Sequence, residues 1–85
     1  MADKSEKWKE TGKQLDKLFT FKSFTDAMGF MLRMSYECEK RDHHPEWKNV
    51  YNKVWVTLST HDAGKVTDKD RDLAKKMDEI YRHFI

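Results

Sequence analysis

Three of the chain's four histidines fall in two short segments, His43-His44-Pro45 and Ser59-Thr60-His61, among carboxylates at Glu39, Asp42, Glu46 and Asp62. An imidazole titrates near neutrality, so it both gives and takes a proton at working pH. Clustered beside carboxylates, such rings make an acid–base site, provided the fold carries His61 back to the His43-His44 pair. Two or three imidazoles would then surround one small, flat ligand, with Trp47 and Trp55 as candidates for an aromatic wall. His43 and His44 follow the end of an expected helix, where the dipole favours a protonated ring, and Pro45 stiffens the segment that holds them.

Other chemistries find less support. Three histidines could bind zinc, but adjacent residues of an extended backbone face opposite sides. No His-x-x-x-His or Cys-x-x-Cys spacing helps. The single cysteine, Cys38, falls on an apolar helix stripe, where burial raises its pKa and quenches its nucleophilicity. Three glycines form no phosphate-cradling loop. Each residue also has a plainer use. His83 reads as a surface residue, Asp70 as a helix cap, the tryptophans as core and the methionines as packing. Metal-free general acid–base catalysis is what the residue types and spacing favour, and they name no substrate.

The elements that must position these residues follow from periodicity. Trp8 to Phe24 suggests two extended segments around Thr11-Gly12-Lys13, with Gly12 free to take the positive φ of a turn. In the second segment Lys17, Phe19 and Phe21 share one face, and Leu18 and Thr20 the other. A helix over Ser5–Leu18 is the competing reading. Ser23 caps a helix running to about Lys40, with Asp26 in the capping-box position. Its stripe is Phe24, Ala27, Met28, Met31, Met34 or Ser35, and Cys38, while Phe30 and Leu32 lie off it. Such a helix is either broadly buried or packed on both its own sheet and a partner subunit.

Pro45 ends that helix near Lys40–Asp42. Trp47–Thr60 is rich in strand formers and turns at Asn52-Lys53. His61-Asp62-Ala63-Gly64 is a loop. Thr67, with Asp70 as its capping partner, starts a last helix that reaches Ile85 and buries Leu73, Met77, Ile80 and Phe84. The order β-β-α-β-β-α implies an α+β fold, with a four-stranded antiparallel sheet covered on one face by helices.

Composition sets outer limits. Eighty-five residues make one domain, expected at 8–85 behind a flexible tail at 1–7, and so small a core invites self-association. Seventeen basic residues against fifteen acidic ones leave a net charge of +2, interspersed rather than striped, unlike a direct nucleic-acid binder. No apolar run approaches membrane-spanning length, and Met1-Ala2-Asp3-Lys4 begins no signal peptide. The expected location is the cytoplasm.

At these same residues the chain resembles the pterin-4a-carbinolamine dehydratases. That family carries an acidic residue, three intervening residues, His-His-Pro, an aromatic, a further histidine or tryptophan and a later aspartate. Glu39, His43-His44-Pro45, Tyr51, Leu58-Ser59-Thr60-His61 and Asp70 match it here. The resemblance runs from Leu18 to the C-terminus, roughly four-fifths of the chain. It implies dehydration of 4a-hydroxytetrahydrobiopterin to quinonoid dihydrobiopterin, in tetrahydrobiopterin recycling, with no metal and no cofactor.

By the same resemblance His43 and His61 form the proton-transfer pair, and His44 positions the pterin. Asp42, Ser59, Thr60, Asp62 and Trp47 join the histidines in binding it, with Glu39 and Asp70 behind them. Relatives form dimers or tetramers through sheet edges and the methionine-rich helix, and mammalian ones serve as dimerisation cofactors of a homeodomain transcription factor. The chain departs from that pattern in three places. Residues 1–7 are too short for the relatives' first helix, Trp55 stands where many have histidine, and the loop at Asp62–Lys65 is shorter than in mammalian forms.

Overall fold

The structure, a computed structural model, describes residues 7–85. Strands β1 (Lys9–Glu10) and β2 (Leu15–Thr20) precede helix α1 (Phe24–Arg41). Strands β3 (Glu46–Val50) and β4 (Lys53–Leu58) precede helix α2 (Asp68–Tyr81), which runs into a 3-10 turn at Arg82–Phe84. The sheet has the order β1-β2-β4-β3, every pairing antiparallel. The architecture is the expected α+β, and the helix considered over Ser5–Leu18 is absent from its described part, where residues 9–10 and 15–18 are strands. The tail at 1–7 lies outside the described residues except for Lys7.

Alternation in β2 and β4 sends Leu15, Lys17, Phe19, Val54, Val56 and Leu58 to the helix-covered face. There they meet Ala27, Phe30, Met34 and Cys38 of α1 and Leu73, Ala74, Met77, Ile80 and Tyr81 of α2. Phe19, Phe21, Phe30 and Tyr81 form an aromatic knot, with Phe19 5.0 Å from both Phe30 and Tyr81 between ring centroids. Phe30, placed off the stripe by its spacing, is fully buried, whereas Phe24 is half exposed. The contact face of α1 is therefore rotated toward Ala27-Phe30-Met34. Phe24 sits on the first turn, at the edge of the contact.

Local chemistry explains the element ends. Ser23 Oγ accepts the Asp26 N–H at 3.1 Å, capping α1. At the β1–β2 turn Thr11 Oγ1 accepts the backbone N–H groups of Lys13 and Gln14. Gly12 is not left-handed there, contrary to expectation; Gly64 is, at φ 66°. The second hairpin turns at Tyr51-Asn52, one residue earlier than expected, with Tyr51 at φ 51°. Asn52 donates to Phe21 O at 2.8 Å and Asn49 to Lys53 O at 2.9 Å, so side-chain bonds hold a turn that lacks glycine.

Three charged side chains lie inside, Lys17, Glu37 and, beneath the site described below, Asp70. Lys17 reaches Asp78 of α2 at 2.7 Å, and Trp8 donates its indole N–H to the same carboxylate, fastening the first hairpin to α2. Glu37 is clamped one turn below and one turn above by Arg33 and Arg41, and Arg41 also bonds Asp72 of α2 at 2.9 Å. Hydrogen bonds from Arg41 and then Arg33 hold the Glu37 pKa down at about 2, from 4.5. A depressed carboxylate stabilises the fold above its unfolded pKa and loses that stabilisation as pH falls through the folded value. Glu37 is therefore expected to contribute on the order of 2–3 kcal/mol at neutral pH, lost between about pH 4.5 and 2. Denaturant unfolding of Glu37→Gln across that window should show a flatter pH dependence than the parent; equal slopes would refute the assignment. Cys38 is 2% exposed, and burial pushes its thiol up to about 11, so it is inert as a nucleophile.

Candidate active site

The way α1 ends sets the first wall of the site. Asp42 takes a left-handed conformation (φ 49°), and its N–H returns to the carbonyls of Cys38 and Glu39. The His43 N–H then closes back on the Cys38 carbonyl at 3.1 Å, a Schellman-type termination. Pro45 keeps the chain extended beyond it. In that extended stretch the two imidazoles diverge. His43 turns inward, its side chain 12% exposed, and His44 turns out to pair with Glu39 at 2.7 Å.

The hairpin supplies the second wall. Because β3 and β4 are antiparallel, β3 starts where β4 ends, with Glu46 opposite Thr57. The residues just before β3 therefore meet those just after β4. Beyond Leu58 the chain makes a tight loop. Thr60 bridges to Lys65 (N–H to carbonyl, 3.1 Å), and left-handed Gly64 donates to Thr60 O. Asp42-His43-His44 on one side and Ser59-Thr60-His61-Asp62 on the other enclose a cleft of about 270 Å³, with Lys69 of α2 completing its lining. A larger depression of about 350 Å³ lies between β2 and β4, beside Leu18 and Trp55. No histidine lines it, whereas three imidazoles line the smaller one.

Beneath the cleft lies Asp70, fully buried. His43 Nε2 stands 2.6 Å from Oδ1, Thr60 Oγ1 donates to Oδ2 at 2.8 Å and the Thr67 N–H to Oδ2 at 2.9 Å. Burial opposes ionisation of this carboxyl most strongly. The bonds from Thr67, His43 and Thr60 outweigh it, and the pKa lies below the usual aspartate value. An ionised carboxylate only accepts, so the proton of neutral His43 resides on Nε2 and the lone pair on Nδ1. Asp70 thus caps α2, ties its first turn to the loop after β4 and fixes the tautomer of His43.

His61 is exposed at the cleft, and its ring makes no hydrogen bond among the described residues. Trp47 lies on the sheet face shared with Val56, half-buried against the core, and is not among the cleft-lining residues. Trp55 pairs with Leu18 and Lys48 on the face the helices leave open, under the Lys48 ammonium at 4.7 Å. The aromatic wall considered for the cleft is therefore not built by Trp55. His43 and His44 diverge as adjacent extended residues must, and among the described residues no three His, Cys, Asp or Glu side chains converge for a metal ion.

Lys69 is the lining residue that spacing did not single out. The available signal was a cation in the first turn of a helix, where the dipole favours acids such as Asp68 and Asp70. No helix among the described residues is long and apolar enough to cross a membrane.

Comparison with known proteins finds relatives over most of the chain. A protein of Afipia carboxidovorans bearing a provisional pterin-4-alpha-carbinolamine dehydratase name is 53% identical over 79 residues, covering 91% of this chain and 79% of the relative. A Nitrobacter hamburgensis protein of the same provisional name is 49% identical over 79 residues, 91% of this chain and 78% of its own. Among solved structures, a transcriptional coactivator/pterin dehydratase from Brucella melitensis superimposes with a TM-score of 0.84 at 43% identity, over 87% of this chain and 81% of its own. A pterin dehydratase-like protein described as a RuBisCO assembly factor in the alpha-carboxysome shares the fold, with a TM-score of 0.76 at 24% identity, over 89% and 90% of the two chains. With residues 1–80 matching the family described as Pterin 4 alpha carbinolamine dehydratase, this chain belongs to that family.

Proposed function

We propose that the protein dehydrates 4a-hydroxytetrahydrobiopterin to quinonoid dihydrobiopterin and water, in tetrahydrobiopterin recycling in the cytoplasm. The observation that carries this reading is a cleft walled by His43 and His61, with His43 locked in one tautomer by buried Asp70. The reaction breaks the C4a–O bond and the N5–H bond, forms C4a=N5 and releases water. It needs an acid at the leaving hydroxyl and a base at N5. His43, with its lone pair on Nδ1, serves as the base, and protonated His61 as the acid. Each transfer contributes roughly 10²–10⁴-fold. His44, held by Glu39, Ser59 and Thr60 orient the ring, and the scheme draws on no metal or cofactor. Titration of the labelled protein with a stable dihydropterin should shift the amides of residues 42–44 and 59–62 first. Shifts confined to the Trp55 face would overturn the placement of the substrate. On the same account Trp55→Ala leaves turnover within about two-fold of the parent, because Trp55 lies on the open sheet face. A large loss of turnover in that variant would move the site.

The outer side of α1 favours a second role. Phe24, Leu32 and Tyr36 are 49%, 61% and 65% exposed, an apolar surface the monomer leaves uncovered. We assign it to self-association as a dimer or tetramer, and to a transcription-factor partner of the kind that the name of the Brucella coactivator suggests. Sedimentation at micromolar concentration should show an oligomer that Leu32→Glu dissociates. A monomeric parent would contradict this.

A further inference from the structure

Lys69 is charged in a place where a cation is disfavoured. It occupies the first turn of α2, flanked by Asp68 and Asp70, where exposed N–H groups and the helix dipole repel positive charge. The neighbouring carboxylates do not compensate. Asp68 pairs with Arg71, Asp70 bonds His43, Thr60 and Thr67, and Lys69 makes no ion pair among the described residues. Its side chain instead lines the histidine cleft, where it is the non-histidine cation of a lining that also holds the carboxylates Asp42 and Asp62. A local preference broken without compensation inside the fold marks a residue whose partner is brought by the ligand.

Resting on the pterin reading above, we infer that Lys69 is a specificity-determining residue whose ammonium donates to the C4 carbonyl oxygen of the bound pterin. The polar edge of a pterin alternates donors and acceptors. Its 2-amino group and N3–H call for acceptors, which Asp42 and Asp62 offer, and its carbonyl calls for a donor. Hydrogen-bond donors that carry a full charge discriminate strongly between an oxygen acceptor and an amino group in the same position. Lys69 thereby reads the 4-substituent, an acceptor in a 4-oxo pteridine and a donor in its 4-amino counterpart, whose N3 also lacks the hydrogen that a carboxylate would accept.

The test compares binding of a stable dihydropterin and its 2,4-diamino counterpart to the parent, Lys69→Met and Lys69→Arg, by fluorescence titration. Lys69 is exposed, so neither substitution threatens the fold. The parent should prefer the 4-oxo ligand, Lys69→Met should weaken that ligand roughly 5–20-fold and narrow the preference, and Lys69→Arg should restore both. In turnover the Lys69→Met loss should fall on KM far more than on kcat. Equal affinity of parent and Lys69→Met for the dihydropterin would overturn the role of Lys69 alone, as would a loss shared equally by both ligands. A parent that binds neither pteridine would overturn the pterin reading together with it.

Discussion

Asp70→Asn is expected to lower dehydratase kcat by roughly 10²–10⁴-fold in a protein that still folds. The parent carboxylate accepts from three donors, His43 Nε2–H, Thr60 Oγ1–H and the Thr67 N–H. An amide has one oxygen and one NH2 group in their place. Whichever way it sits, a donor then faces a donor, and the movable partner is the His43 ring. Turning the amide oxygen to Thr60 and Thr67 preserves the α2 cap. It puts NH2 against Nε2, so His43 must carry its proton on Nδ1 and loses the lone pair assigned as the base. The stability cost is on the order of 1–3 kcal/mol, because the amide still satisfies part of the network. Denaturant unfolding and nitrogen NMR of the imidazole together separate the two effects. A variant with parental kcat, or one that loses activity only because it unfolds, would remove Asp70 from the mechanism.

The larger loss is expected from replacing both imidazoles. With His43→Gln and His61→Gln combined, neither the hydroxyl of C4a nor the proton of N5 has a partner, and the rate should fall by roughly 10⁴-fold or more. The two singles need not multiply to that value, since both transfers serve one net elimination. Folding should survive. His61 is exposed, with no side-chain hydrogen bond among the described residues to lose, and in His43→Gln the new side-chain amide retains a donor for Asp70. Turnover unchanged in the double variant, measured on protein with parental unfolding midpoint, would rule out the proposed proton transfers.

Much of this arrangement is legible in the chain because its signals are local. His43 faces inward and His44 outward because extended backbone alternates. Pro45 and left-handed Asp42 place both at the end of α1. The return of His61 follows once the second hairpin is accepted as antiparallel. What depends on packing is less accessible. The phase of α1 reads incorrectly from spacing, which puts Phe24 on the apolar stripe and Phe30 off it, whereas packing against the sheet and α2 buries Phe30 and leaves Phe24, on the first turn, half exposed. Glu37 looks like a solvent position, yet Arg33 and Arg41 neutralise it inside the contact face.

Asp70 reads from its spacing as a helix cap and only from the family resemblance as a site residue, while in the structure its two oxygens serve α2 and His43 at once. Trp55 is legible as a strand residue but not as a face. One step of alternation puts it beside Leu18 and away from the cleft. Lys69 is legible only as an exception to the charge preference of a helix start.

The most direct measurement follows 4a-carbinolamine, generated in situ by an aromatic amino-acid hydroxylase, as it converts to quinonoid dihydropterin with and without this protein. The proposed dehydration requires that the parent accelerate the conversion and that His61→Ala, equally folded, lose most of the acceleration. A folded parent that leaves the spontaneous rate unchanged would contradict it.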